Sequence, residues 1–125
     1  MNLLKNGIRD FITIKKQEKE RIMTKEEVTM IGFEIVAYAG EARSKLLMAI
    51  KEAENSNFEK AEKLVAEANE VLLEAHGQQT EMIQKEAAGE TNELGFIMVH
   101  AQDHLMTAML LKDLTQHFIN LYKKS

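Results

Sequence analysis

Residues 57–88 read NFEKAEKLVAEANEVLLEAHGQQTEMIQKEAA. Within this stretch Ala61, Val65, Ala68, Leu72, Ala75, Gln79 and Met82 recur with alternating steps of four and three. That spacing keeps one side of an α-helix turned toward a partner helix, as in the seam of a coiled coil. The seam is broken once, by the polar Gln79. The helix is expected to start near Asn57 and run to about Ala88, with Gly89 as its stop.

The same period recurs on both sides of it. Thr24-Lys25-Glu26-Glu27 has the form of a capping box, with Thr24 as N-cap and Glu27 reaching back. The helix it opens runs to about Glu54 and ends at the polar cluster Asn55-Ser56-Asn57. Ile31, Ile35, Ala42, Leu46, Ala49 and Ala53 form one seam of that helix, and Phe33, Val36, Ala37, Gly40, Leu47 and Ile50 lie outside it. A further helix is expected from around Thr91 or Asn92 to Tyr122, apolar on nearly all sides between Leu94 and Leu114. Each helix has about 30 residues and so a length of roughly 45 Å. Loops this short force antiparallel neighbours. The expected fold is all-α, an antiparallel up-down-up three-helix bundle. One bundle has a single interior, and helices apolar all round must be buried all round, so self-association is expected. Gly32 and Gly40 cost about 1 kcal/mol each inside a helix, which close helix approach near Ala37, Ala39 and Ala42 would offset.

Composition narrows the function. The chain has 125 residues, no proline and no cysteine. That length suits one domain with a modest core. Without cysteine there is no disulfide, no thiolate metal site and no cysteine nucleophile. A net charge of −4 argues against nucleic acid as a partner, because phosphates need a basic patch. No apolar run reaches the roughly 18 residues needed to span a bilayer, so no membrane insertion is expected. Charge is uneven: residues 1–23 carry a net +3, from Lys5, Arg9, Lys15, Lys16, Lys19 and Arg21 against Asp10, Glu18 and Glu20, and the remainder carries −7. Residues 1–23 read as a basic, flexible N-terminal extension and residues 24–125 as the helical domain. Leu3, Leu4, Ile8, Phe11, Ile12 and Ile14 would also suit a short amphipathic helix, or contact with a membrane surface. Met23 is a natural alternative start.

The chemistry-bearing stretch is Val99-His100-Ala101-Gln102-Asp103-His104-Leu105-Met106-Thr107. His100, Asp103 and His104 share a helix side within an otherwise apolar segment, where unpaired polar groups are costly. A zinc hydrolase using His100 and His104 is one reading, one substitution away from the inverted zinc-protease motif; it lacks a clear third ligand. A di-metal bundle needs Glu-x-x-His pairs on two helices, and the chain has none. Covalent catalysis on a histidine is a third reading, an imidazole nitrogen taking and passing on a phosphoryl group. Two histidines at a wet helix surface is the fourth. His117 lies near a helix C-terminus, where a cation suits the dipole. The methionines read chiefly as core filler, and the series Lys51, Glu52, Glu54, Glu59, Lys60, Glu62, Lys63 as a solvated face.

HAQDHLMTAM, from His100 to Met109, resembles the signature of enzyme IIA of the lactose/cellobiose (N,N'-diacetylchitobiose) group of the bacterial PEP-dependent sugar phosphotransferase system. Gly32 to Gly40 (GFEIVAYAG), Ala42 to Leu46 (ARSKL), Glu74-Ala75-His76 and Gln79-Thr80 agree with it. The likeness covers about residue 28 to Lys124 and leaves out the basic arm. It implies a cytoplasmic phosphocarrier in which His100 receives a phosphoryl group from the phosphocarrier HPr and hands it to a cysteine of enzyme IIB, for uptake of a lactose- or cellobiose-type disaccharide. It implies that His104 orients or stabilises the group, with Gln102 and Gln79 as further hydrogen-bond partners. It also implies a homotrimer in which Asp103 faces the threefold axis and helps to bind structural Mg²⁺, since three converging carboxylates repel unless a hard cation relieves them. His76 matches the family pattern and reads as a hydrogen-bonded structural histidine. Apart from zinc chemistry, the reading to set beside the phosphocarrier is a non-catalytic regulatory trimer.

Overall fold

The computed structural model describes residues 2–20, 23–90 and 92–125, with side chains left aside at residues 2 and 14–20. The charges expected on Lys15, Lys16, Glu18, Lys19, Glu20 and Arg21, the apolar Ile14, and the helix start at Thr91 lie outside what it describes. Four helices follow one another, α1 (Asn2–Glu20), α2 (Lys25–Glu54), α3 (Phe58–Ala87) and α4 (Phe96–Lys124), with no strand among the described residues.

Local chemistry ends each helix where the residues dictate. Thr24 has extended backbone, and its Oγ1 accepts from the Glu27 amide at 3.1 Å, which satisfies one of the four orphan donors of a helix start. After α2, Ser56 takes a left-handed φ of 63°. Its amide donates to the Ala53 carbonyl at 3.0 Å, and the Asn57 amide to the Glu52 carbonyl at 2.8 Å. That pair of bonds is a Schellman motif. The same motif closes α3, with Gly89 at φ 92°, the Gly89 amide on Glu86 and the Glu90 amide on Lys85, both at 3.0 Å. The start of α4 differs from expectation. It begins after Gly95, whose backbone is extended and which offers no side-chain cap, because residues 92–95 form a non-helical connection.

α2, α3 and α4 pack against one another, and α2 makes the larger contact with each of the other two. The buried residues of α2 are Val28, Gly32, Ile35, Ala39, Ala42, Leu46, Ala49 and Ala53, an unbroken four-three series. Gly32, not Ile31, belongs to this seam; Ile31 packs at its margin. A Cβ on Gly32 would lie 3.4 Å from both Ile97 Cγ2 and the Met98 amide, so glycine there lets the start of α4 come close. A Cβ on Gly40 would meet nothing within 4 Å among the described residues, whereas its neighbours Ala39 and Ala42 are packed in the seam. Opposite α2 stand Ala61, Ala68, Leu72, Ala75 and Gln79 of α3 and Met98, Ala101, Leu105, Ala108, Thr115 and Ile119 of α4. Thr115 is fully buried, and its hydroxyl donates to the Leu111 carbonyl at 2.7 Å. Polar ties between helices surround the core. Glu62 accepts from Gln116 at 3.1 Å and from Lys123 at 3.0 Å, and these contacts, Gln116 foremost, hold its carboxyl below the usual glutamate range. Lys45 pairs with Glu67 at 3.0 Å, raising the lysine and lowering the carboxyl.

The short amphipathic helix that the N-terminal apolar residues would suit is present as α1, so the described chain carries a fourth helix beside the three expected. α1 comes within packing distance of none of α2–α4 among the described residues. Leu3, Leu4, Ile8, Phe11 and Ile12 are exposed along it.

Candidate functional site

Both histidines sit on α4 at the edge of its buried face. Ala101, Leu105 and Ala108 are buried and fix the helix, and His100 and His104 flank them. A separation of four residues stacks them one turn apart. Their ring centroids lie 4.4 Å apart, edge to face at 71°. His100 is exposed and His104 half-buried, so the first imidazole is open to an approaching partner and the second flanks it. Asp103 is exposed as well. Thr107 bonds back to the helix, its hydroxyl donating to the Asp103 carbonyl at 2.7 Å and the His104 carbonyl at 3.2 Å.

Gln102 points elsewhere. Two residues along a helix turn the side chain by roughly 200°, which takes Gln102 away from His100 and toward α3. There the Gln79 amide nitrogen donates to the Gln102 carbonyl oxygen and lies 3.7 Å from the Met106 sulfur, while the Gln102 nitrogen lies 3.5 Å from the Met98 sulfur. The polar break in the α3 seam is thus paired across the α3–α4 contact, with Gln79 only 8% exposed. Beside it lies a pocket of about 230 Å³ lined by Met82, Ile83, Leu94 and Met98 among others. The two sulfur partners could have been found in the sequence, since Met98, Gln102 and Met106 are spaced by four. The structure brings together His100 with His104, and Gln79 with Gln102, as two separate pairs within one chain.

Asp103 stands in an apolar stripe. Phe96, Val99, Met106, Leu110, Leu114 and Leu121 recur on its side of α4, and each is at least 42% exposed in the single chain. α2 adds exposed Met30, Phe33, Leu47 and Met48. These are the surplus apolar faces expected from the sequence. No group of three His, Cys, Asp or Glu side chains among the described residues is gathered to hold a metal, so zinc on His100 and His104 still lacks a third ligand. His76 is exposed on α3 with no hydrogen-bond partner among the described residues, contrary to the structural role expected of it. His117 is exposed beside Lys112, Asp113 and Gln116. No helix of the described residues is long and apolar enough to cross a membrane.

Comparison with known proteins gives a consistent result. The family model for the PTS system lactose/cellobiose-specific IIA subunit matches residues 30–123, which include both pairs. A lactose-specific EIIA component of Lactococcus lactis subsp. lactis is 57% identical over 102 residues, covering 82% of this chain and 97% of that protein. Among solved structures, a cellobiose-specific enzyme IIA from Bacillus anthracis aligns with a TM-score of 0.75 at 42% identity, over 82% of this chain and 93% of that one. The chitobiose IIA of Escherichia coli, solved in complex with HPr, aligns with a TM-score of 0.68 at 33% identity, over 78% of this chain and 95% of that one.

Proposed function

The chain belongs to the lactose/cellobiose-specific IIA family of the sugar phosphotransferase system, and from that premise we propose that it is a cytoplasmic phosphocarrier with His100 as acceptor. The observation that carries this reading is the exposed His100 ring with His104 beside it at 4.4 Å, on a helix held by the buried Ala101, Leu105 and Ala108. An unprotonated ring nitrogen of His100 attacks the phosphorus of phospho-HPr. The new N–P bond forms as the N–P bond to the HPr histidine breaks, and one imidazole replaces another. The His104 N–H is a donor for the oxygens of the transferred group. The phosphoryl group then leaves to a cysteine of enzyme IIB, whose own chain and permease set the disaccharide. A related IIA in complex with HPr supports HPr as donor. Gln79 and Gln102 enter as the pair that holds α4 against α3.

The chain acts in this reading as a homotrimer. The apolar stripe around Asp103 is the surface that three copies would cover, which removes it from water at roughly 25 cal/mol per Å². Asp103 gives one hard oxygen donor per chain, and three such donors together suit Mg²⁺, which relieves their repulsion.

Intact mass after incubation with phosphoenolpyruvate, enzyme I and HPr tests the assignment. Wild type gains one acid-labile phosphoryl group and His100→Ala gains none while keeping its fold. Uptake by His100→Ala refutes His100 as the acceptor. No uptake by either protein returns a regulatory trimer as the reading.

A further inference from the structure

The α1 helix is not used by the relay, and its chemistry is specific. Leu4, Ile8, Phe11 and Ile12 fall at spacings of four and three along one side, all more than half exposed, with Leu3 and Gly7 at the margin. Lys5 and Arg9 follow Leu4 and Ile8 by one residue, so they stand at roughly 100° from them, at the edge of the apolar face. Six basic residues and three acidic ones lie within residues 1–23, on a chain that is net acidic elsewhere. We infer that α1 is an interfacial anchor that lies on an anionic lipid surface, apolar face down, with Lys5 and Arg9 at headgroup level.

Three observations favour lipid over other occupants. The helix is polar on average yet sharply two-faced, the property of a segment that rests in an interface rather than within a protein core. Its exposed apolar residues lie between Leu3 and Ile12, too short a run for the three or more heptads of a coiled coil with a second copy. The excess of basic residues has no use in apolar helix packing, whereas clusters of four to eight Lys and Arg on an amphipathic helix suit anionic headgroups. The acidic remainder of the chain is repelled by the same surface, which keeps α2–α4 on the water side. On the proposed relay, the carrier bound in this way would be confined to the plane in which the sugar enters through the membrane permease.

Co-sedimentation of the full chain with vesicles tests this. Wild type pellets with phosphatidylcholine vesicles containing phosphatidylglycerol, stays in solution with phosphatidylcholine alone, and is released by high salt. Ile8→Glu/Ile12→Glu and Lys5→Glu/Arg9→Glu each lower the partition coefficient by about tenfold or more. Both variants keep the wild-type unfolding midpoint, because α1 comes within packing distance of none of the other helices among the described residues. Equal binding to neutral vesicles, binding to neither, or variants that pellet like wild type would overturn the inference. So would protection of α1 from protease without lipid that is lost in Ile8→Glu/Ile12→Glu, since that places the helix on protein.

Discussion

The buried glutamine pair offers the sharpest test of the packing argument. Gln79 is 92% buried, taking its 8% exposure, and its amide nitrogen is bonded to the Gln102 carbonyl. Replacing it by leucine (Gln79→Leu) keeps volume and helix propensity and removes the donor. The Gln102 oxygen then faces an apolar wall, and an unpaired buried acceptor costs about 1–3 kcal/mol. Gln102 is only half-buried, so it can turn part of its amide to water, and leucine regains some transfer energy. The net loss expected is about 1 kcal/mol. Gln79→Leu/Gln102→Leu removes both partners and should return to within about 0.5 kcal/mol of wild type. The measurement is a double-mutant cycle by urea unfolding, at one protein concentration because association shifts apparent stability. The expected coupling is about 1 kcal/mol. Strict additivity of the two single losses, or a Gln79→Leu variant as stable as wild type, would show that the pair is not coupled and that α3 and α4 are held by apolar contact alone.

Other outcomes follow from single features. Ser56 holds a left-handed φ of 63° without being glycine, so Ser56→Gly should stabilise by about 1 kcal/mol and raise the thermal midpoint, with Ser56→Val moving it down. Glu62 has a folded-state carboxyl below the ordinary 4.5, from the Gln116 and Lys123 contacts. Its contribution is therefore complete above the unfolded value and is lost as pH falls through the depressed one. Glu62→Gln should flatten the loss of stability below about pH 4.5 and leave its slope at neutral pH unchanged, as read by unfolding against pH. For the proposed trimer, sedimentation velocity should show dissociation of wild type on adding EDTA and reassembly with Mg²⁺, whereas Asp103→Asn should assemble without responding to either. A metal-insensitive wild-type trimer would remove the metal from the account.

Much of the fold was legible because its signals are local. A capping threonine, a left-handed glycine and a four-three repeat each act through neighbouring residues, so the ends of α2 and α3 and the α3 seam follow from the order of side chains. The end of α4 was equally readable. Its start was not, because the cap falls on Gly95, which has no capping side chain, rather than on Asn92. Gly32 replaced Ile31 in the core where the start of α4 comes close. Either choice fits a helical period, and only the position of Ile97 and Met98 decides between them. His76 looked structural by its place in the family pattern, yet it is exposed on α3 among the described residues.

The histidine pair could be read from its spacing alone, since four residues on a helix fix two rings one turn apart. The direction of Gln102 was set by helix geometry too, but its partner was a tertiary matter: α3 had to bring Gln79 across. What the residues determined by themselves is therefore periodic and short-range, namely four-three seams, caps, the paired imidazoles and the surplus of apolar surface. Which apolar face became core, which stripe was left around Asp103 and that α1 stands apart were decided by distances between segments far apart in sequence. Hydrogen bonds along a helix are closed within four residues, whereas burial is settled only when another helix arrives.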